Sequence, residues 1–129
     1  MLRLKRAYEP HAPGDGHRVL VDRLWPRGVS KERLAVDDWI KELAPTTELR
    51  RWFGHDPARW LTFQRRYKRE LEAHADLIDL LARQALRGRV SLIFGARDES
   101  HNDAVVLAAV VRKRMAAILG GKRRAATSR

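Results

Sequence analysis

Apolar residues recur along this chain in two rhythms, and the switch between them divides it. Arg3 to Tyr8 and Arg18 to Leu24 read as strands, separated by "EPHAPGDG", whose two prolines and two glycines predict a loop. Ser30 can cap a short helical turn, "SKERLA". In "VDDWIKEL" the apolar positions 36, 39, 40 and 43 suit a helical turn at least as well as a third short strand, so the pattern leaves both open. From Thr46 the helical rhythm takes over. Thr46 or Thr47, with Glu48, opens a helix carrying Leu49, Trp52 and Phe53, which Gly54-His55-Asp56-Pro57 ends before the next begins. Trp60, Phe63, Tyr67 and Leu71 fall at i, i+3, i+7 and i+11, one apolar stripe, with Arg65, Arg66, Lys68 and Arg69 mostly elsewhere.

Leu77 to Leu86 continues as a helix that Gly88 stops. "RVSLIFGA" is a strand, and "HNDAVVLAAVVRKRMAAIL" a long helix apolar nearly all round in its middle, hence well buried. Early strands, then helices, then a strand feeding a helix predict one α/β domain over residues 1–119. It would be a small three-layer sandwich with a short, mostly parallel sheet covered by helices. After Gly120-Gly121, residues 120–129 read as a disordered basic tail with nothing to bury.

Composition narrows the class without naming a function. The 129 residues suffice for one real core, and 44% apolar with 33% charged residues is a globular composition. No apolar run is long enough to span a bilayer, and the N-terminus lacks the apolar stretch of a signal peptide. The absence of cysteine excludes disulfides, thiolate zinc and cysteine nucleophiles, and agrees with a cytoplasmic setting. The formal charge of +11 attracts polyanions weakly and without specificity, which admits a small anion or a nucleic-acid phosphate as partner. Any protein partner stays open.

Candidate chemistry gathers at two corners where strands end. The first is "DRLWPRG", with Lys31 just beyond. Arg23, Arg27 and Lys31 supply donors suited to phosphate or carboxylate, while Trp25, Pro26 and Gly28 shape the turn, Gly28 by permitting positive φ. The blander alternative pairs Asp22 with a neighbouring arginine and uses Trp25 as a core plug. The second corner is "GARDESHN", which joins the last strand to the last helix. There Arg97 and Asn102 join the anion donors, and free N–H groups at the helix start add to them. Asp98 or Ser100 serves there equally well as a plain N-cap. Asp22 or Asp98 as base and His101 as acid would make the pair of corners catalytic. His55 borders them, although Asp56 before Pro57 is a common helix start. No GxGxxG, Walker loop, HExxH, GxSxG or paired-cysteine motif occurs, so neither cofactor nor metal is expected.

These blocks, "KRAYEP", "DGHRVLVDRLWPRGVSKE", "DDWIKELAPTTELRRWFGHDPARW", "FQRRYKREL" and "VSLIFGARDESHNDAVVL", resemble in sequence and order the YeaO-like branch of the bacterial family called domain of unknown function 488. The resemblance runs from about Leu4 to Met115. It implies a three-layer α/β fold and a site near Asp22, Arg23, Trp25, Arg27, Arg97, His101 and Asn102. The chain departs from the pattern in Thr46 where serine is usual, in "FGA" for "YAA", and in the basic tail. Some relatives carry the label uroporphyrin-III C-methyltransferase, which this chain does not fit, having neither a glycine-rich cofactor loop nor room for a tetrapyrrole. The function expected is recognition of an anion, a nucleotide or nucleic-acid phosphate, by a cationic pocket. The alternatives are a small hydrolase or transferase acting on a phosphorylated or carboxylated metabolite, and a structural or partner-binding module.

Overall fold

The computed structural model describes residues 1–127, with side chains as far as Lys122. Its elements are β1 (Leu2–Arg6), β2 (His17–Leu20), α1 (Lys31–Leu34), β3 (Asp38–Trp39), α2 (Thr47–Phe53), α3 (Trp60–Leu71), α4 (Ala75–Arg87), β4 (Val90–Phe94) and α5 (Asp103–Thr127). The four strands form one sheet in the order β1-β4-β2-β3, parallel throughout, with Arg6 beside Phe94 and Leu20 beside both Ile93 and Trp39. The ambiguous "VDDWIKEL" is both things at once: a two-residue strand, followed by a 3-10 turn at Lys41–Leu43.

Alternation along the strands sorts side chains to the two faces of the sheet. Val19, Val21, Leu92 and Phe94 enter the larger core, against Leu49 and Phe53 of α2, Phe63, Tyr67 and Leu71 of α3, Leu81 of α4 and Leu107 of α5. Leu20 and Ile93 point the other way, into a smaller cluster with Ala7, Val29 and Leu34, closed by Trp25 and Trp39. The stripe read from α3 is therefore a core face: Phe63, Tyr67 and Leu71 are buried and Trp60 packs beside them.

Caps fall where the sequence placed them. Thr46 accepts from the Leu49 N–H to start α2, and Gly54, in the left-handed region at φ 52°, ends it. Asp56 accepts from the Ala58 N–H, so it caps the turn into α3. Gly16, at φ 67°, is required for space as well, because a Cβ there would meet the Arg89 carbonyl oxygen at 2.4 Å.

Two features differ from the sequence reading. The chain does not lose regular structure at Gly120: α5 runs through the diglycine to Thr127. Lys, Arg and Ala beyond it favour helix, and cations suit a helix C-terminus, which outweighs the cost of two glycines. The rest of the expected tail, residues 128 and 129, lies outside the described residues. The second difference is a buried charge cluster under the N-terminal end of the sheet. Asp15 accepts from Arg18 Nη1 at 2.6 Å and from Lys5 Nζ at 2.8 Å, while Arg18 Nε and Nη2 reach the Leu34 carbonyl at 3.1 and 2.7 Å. Arg18 and Asp15 are each only 1% exposed. Among the described residues no helix is long and apolar enough to cross a membrane.

Candidate functional site

The sheet directs its functional groups to the carboxyl ends of β2 and β4. The chain leaving β2 goes to α1 on the small-cluster face, whereas the chain leaving β4 goes to α5 on the opposite face. Neighbouring strands whose continuations diverge leave a crevice between them, the usual place for a ligand in a parallel sheet. A cleft of about 470 Å³ opens there, lined by Asp22, Arg23, Leu24, Pro45, Thr47, Arg50, Arg51, Phe53, His55, Phe63, Gly95, Ala96 and Asp103. Its volume suits a small metabolite.

The cleft is built around Asp22. Val21 still donates to the Ile93 carbonyl at 3.1 Å, so the residue after it is fixed at the strand's end. There Asp22 Oδ2 accepts from the Gly95 N–H at 2.8 Å, and its own carbonyl accepts from Trp39 Nε1 at 2.7 Å. Glycine suits position 95 because a Cβ would meet Asp22 Oδ2 at 3.2 Å. Burial raises the Asp22 pKa above the ordinary carboxylate value, partly offset by the Gly95 N–H and the charge of Arg50.

Asp103, the first residue of α5, is the second acid of the cleft. Burial and the neighbouring Asp22 charge push its pKa up to about 7, against the pull of Arg50 and of the backbone N–H groups of Asp103 and Ala104. Asp103 therefore keeps its proton up to near neutrality. Tyr67, buried beneath them and donating to the Leu43 carbonyl, has its phenol pKa raised well above normal, mainly by burial and further by Asp103 and Asp22.

Guanidiniums form the rim. Arg23 turns toward the loop before α2, its Nε and Nη2 donating to the carbonyls of Pro45 and Ala44, each at 3.3 Å. Arg50 and Arg51 come from α2 and are exposed. Among the described residues neither forms a salt bridge. Three guanidiniums against two carboxyls leave the cleft net positive.

The residues singled out in the sequence divide accordingly. Asp22, Arg23 and His55 line the cleft; Arg27, Lys31 and Arg97 do not. Trp25 enters the smaller cluster, edge-on to Trp39 at 5.4 Å, and Nε1 donates to the Val29 carbonyl at 2.5 Å, which draws the following turn toward α1. Pro26 is buried, Gly28 adopts φ 78°, and Arg27 and Lys31 are carried out to solvent. At the other corner Asp98 accepts from the N–H groups of Ser100 and His101, each at 2.9 Å, and from His101 Nδ1 at 3.1 Å. Those bonds, chiefly the backbone ones, lower its pKa. Asn102 donates to the Asp98 carbonyl at 2.7 Å and accepts from Val105 N–H at 3.0 Å, so its amide caps α5. His101 packs edge-on against Trp60, 5.2 Å between ring centres, and Arg97 is exposed. The expected meeting of Arg23, Arg27 and Arg97 is replaced by one of Arg23, Arg50 and Arg51. Arg50, Arg51 and Asp103 escaped the sequence reading: the first two sat in a segment read only for its helix, the last one residue beyond the chosen corner.

Fold and cleft together define a small parallel α/β domain with an acid pair inside a cationic rim. The model of the family described as "Inactive DUF488-N3 subclade" matches residues 1–128. The "Uncharacterized protein YeaO" of Escherichia coli is 42% identical over 107 residues, 83% of this chain and 93% of that protein. "Uncharacterized protein Rv3073c" of Mycobacterium tuberculosis and "Uncharacterized protein Mb3100c" of Mycobacterium bovis are each 41% identical over 115 residues, 88% of this chain and 95% of theirs. The chain belongs to the YeaO-like branch of the DUF488 family. No solved structure gives a significant match.

Proposed function

We propose that the domain binds a small phosphorylated metabolite of the nucleotide class in the cleft between β2 and β4. The observation that carries this reading is the grouping of Arg23, Arg50 and Arg51 around the Asp22–Asp103 pair. Arg50 and Arg51, free of carboxylate partners, suit a phosphate at the mouth. The Asp22–Asp103 pair suits hydroxyl or amino groups deeper in, since Asp103 titrating near neutrality can donate or accept beside the Asp22 carboxyl. A ligand with an anionic end and a polyhydroxyl or amino-bearing body satisfies both halves. The reading takes the domain to act in the cytoplasm, in keeping with a chain without cysteine.

Binding without turnover is favoured over catalysis. The subclade model is described as inactive, and the imidazole expected as proton donor, His101, is engaged with Asp98 and Trp60 outside the cleft wall. Calorimetric titration with inorganic phosphate, ribose 5-phosphate, AMP and adenosine tests the proposal. The phosphorylated sugars should bind, and adenosine should bind far more weakly. Arg50→Ala and Arg51→Ala should each cost about ten- to a hundredfold in affinity, as for a charge-assisted hydrogen bond. Phosphate-independent binding, or affinity indifferent to both arginines, would refute it.

A further inference from the structure

Helices α2 and α3 carry a second concave surface, separate from the cleft, on which three guanidiniums gather near one tryptophan. Trp52 is half-buried at the end of α2, with Arg59 and Arg66 over its ring at 5.1 and 4.9 Å from the centroid. Trp52, Arg66 and Arg69 line a groove of about 430 Å³ together with Thr46, Glu48, Leu49 and Glu70. Among the described residues Arg66 and Arg69 form no salt bridge, and Arg59 only a loose one, 3.8 Å from Asp56. Of the two acids in the groove, Glu70 is occupied by Thr46, accepting from its N–H at 2.9 Å and its hydroxyl at 2.7 Å. An uncompensated cluster of this kind gains nothing for folding, because like charges on neighbouring helical turns repel.

From this grouping we infer that the α2–α3 face binds single-stranded nucleic acid, with phosphates on Arg66 and Arg69 and a base stacked on Trp52. Guanidiniums already stacked on the indole show that the ring face accepts a flat, delocalised partner. A base can take the place of one of them, which then swings to a phosphate. Duplex nucleic acid hides its base faces and cannot use the indole, which sets the preference for single strands. The net charge of +11 supplies long-range attraction to any polyanion; Trp52 supplies the discrimination. None of Trp52, Arg66 and Arg69 lines the cleft between β2 and β4, so this inference stands apart from the metabolite reading.

Fluorescence anisotropy with labelled oligo-dT and oligo-U of roughly 20 nucleotides, beside a duplex of equal length and heparin, tests it over a range of salt. Single strands should bind more tightly than duplex. The Arg66→Ala/Arg69→Ala double variant should reduce the slope of log affinity against log salt by about 1.4, some 0.7 for each lost phosphate contact. Trp52→Ala should weaken single-strand binding about five- to a hundredfold while leaving heparin binding unchanged, and Trp52→Phe should restore most of the loss. If Trp52→Ala fails to fold, Trp52→Leu takes its place, with folding checked by circular dichroism. Equal affinity for duplex or heparin, with no dependence on Trp52, would overturn the inference in favour of diffuse charge attraction. So would tighter binding to an acidic protein or to anionic vesicles, and so would arginine variants that keep the wild-type salt slope.

Discussion

Asp22 and Asp103 line one cleft, where burial first and the charge of Asp22 second push the Asp103 pKa up to about 7. They reach it from the ends of different strands, Asp22 directly after β2 and Asp103 at the start of the helix that follows β4. Nothing in folding requires two acids to meet there. Arg50 moderates their repulsion without closing a salt bridge with either.

That meeting should be visible as a pH dependence of stability. The unfolded chain releases the Asp103 proton near the ordinary carboxylate value of 3.8, whereas the folded chain keeps it to about 7. Between those values the folded state binds more protons, so stability is fully present below about pH 4, falls as pH rises toward 7 and levels off above. Asp103→Asn removes the penalty. Its melting temperature should exceed that of wild type at pH 8, by the equivalent of about 1 to 4 kcal/mol, with the advantage vanishing near pH 4. Thermal melts from pH 4 to 9 measure it, and parallel curves would show that Asp103 titrates normally.

Asp15 should behave in the opposite sense. Burial alone would raise its pKa, but hydrogen bonds from Lys5, the Ala12 N–H and Arg18 outweigh it and bring the value to about 2. A depressed carboxyl contributes stability above its unfolded value near 4 that is lost as pH falls toward 2. Asp15→Asn leaves Arg18 buried without its counter-charge, so a loss of about 3 to 5 kcal/mol is expected at neutral pH, seen as a lower denaturation midpoint. The variant should also lack the wild-type acid transition in that window. A variant as stable as wild type would mean that Arg18 is held by the Leu34 carbonyl alone.

The sequence was most informative where local chemistry decides the outcome. The apolar run in "RVSLIFGA", the i, i+3, i+7 stripe of Trp60, Phe63 and Tyr67, and the Thr46 and Asp56 caps depend on neighbours a few residues away, and each appears in the structure. The site depends on long-range placement. Asp22 meets Gly95 across 73 residues, and Arg50 arrives from a helix whose pattern announces only its buried face. Arg27 and Arg97 looked promising and Arg50 did not, because charge and position beside a strand are visible in sequence while the direction a turn takes is not. Trp25 sets that direction for Arg27 by seating in the smaller cluster. The Asp15–Arg18 cluster was hidden for the same reason, since Asp15 reads as part of the loop "EPHAPGDG" and Arg18 as the start of a strand until the sheet buries both.

Three arginines that the sequence treats alike should therefore respond differently to removal. Arg23 donates to the carbonyls of Ala44 and Pro45, both in buried residues, and so ties the loop before α2 to the end of β2. Arg23→Ala leaves those carbonyls without their donor, which costs about 1 to 3 kcal/mol, and frees the loop that bears Thr47 and Arg50 at its far side. Arg27 and Arg97 are exposed, and their side chains form neither a hydrogen bond nor a salt bridge among the described residues. Arg27→Ala and Arg97→Ala should change stability by less than about 0.5 kcal/mol, as surface substitutions do. Denaturant titrations of the three variants separate the cases, and hydrogen exchange at Thr47 to Arg50 should quicken in Arg23→Ala alone. Equal stability across all three would mean that the 3.3 Å bonds of Arg23 are too weak to brace the loop. A large loss in Arg97→Ala would instead restore the corner after β4 as a structural element in its own right.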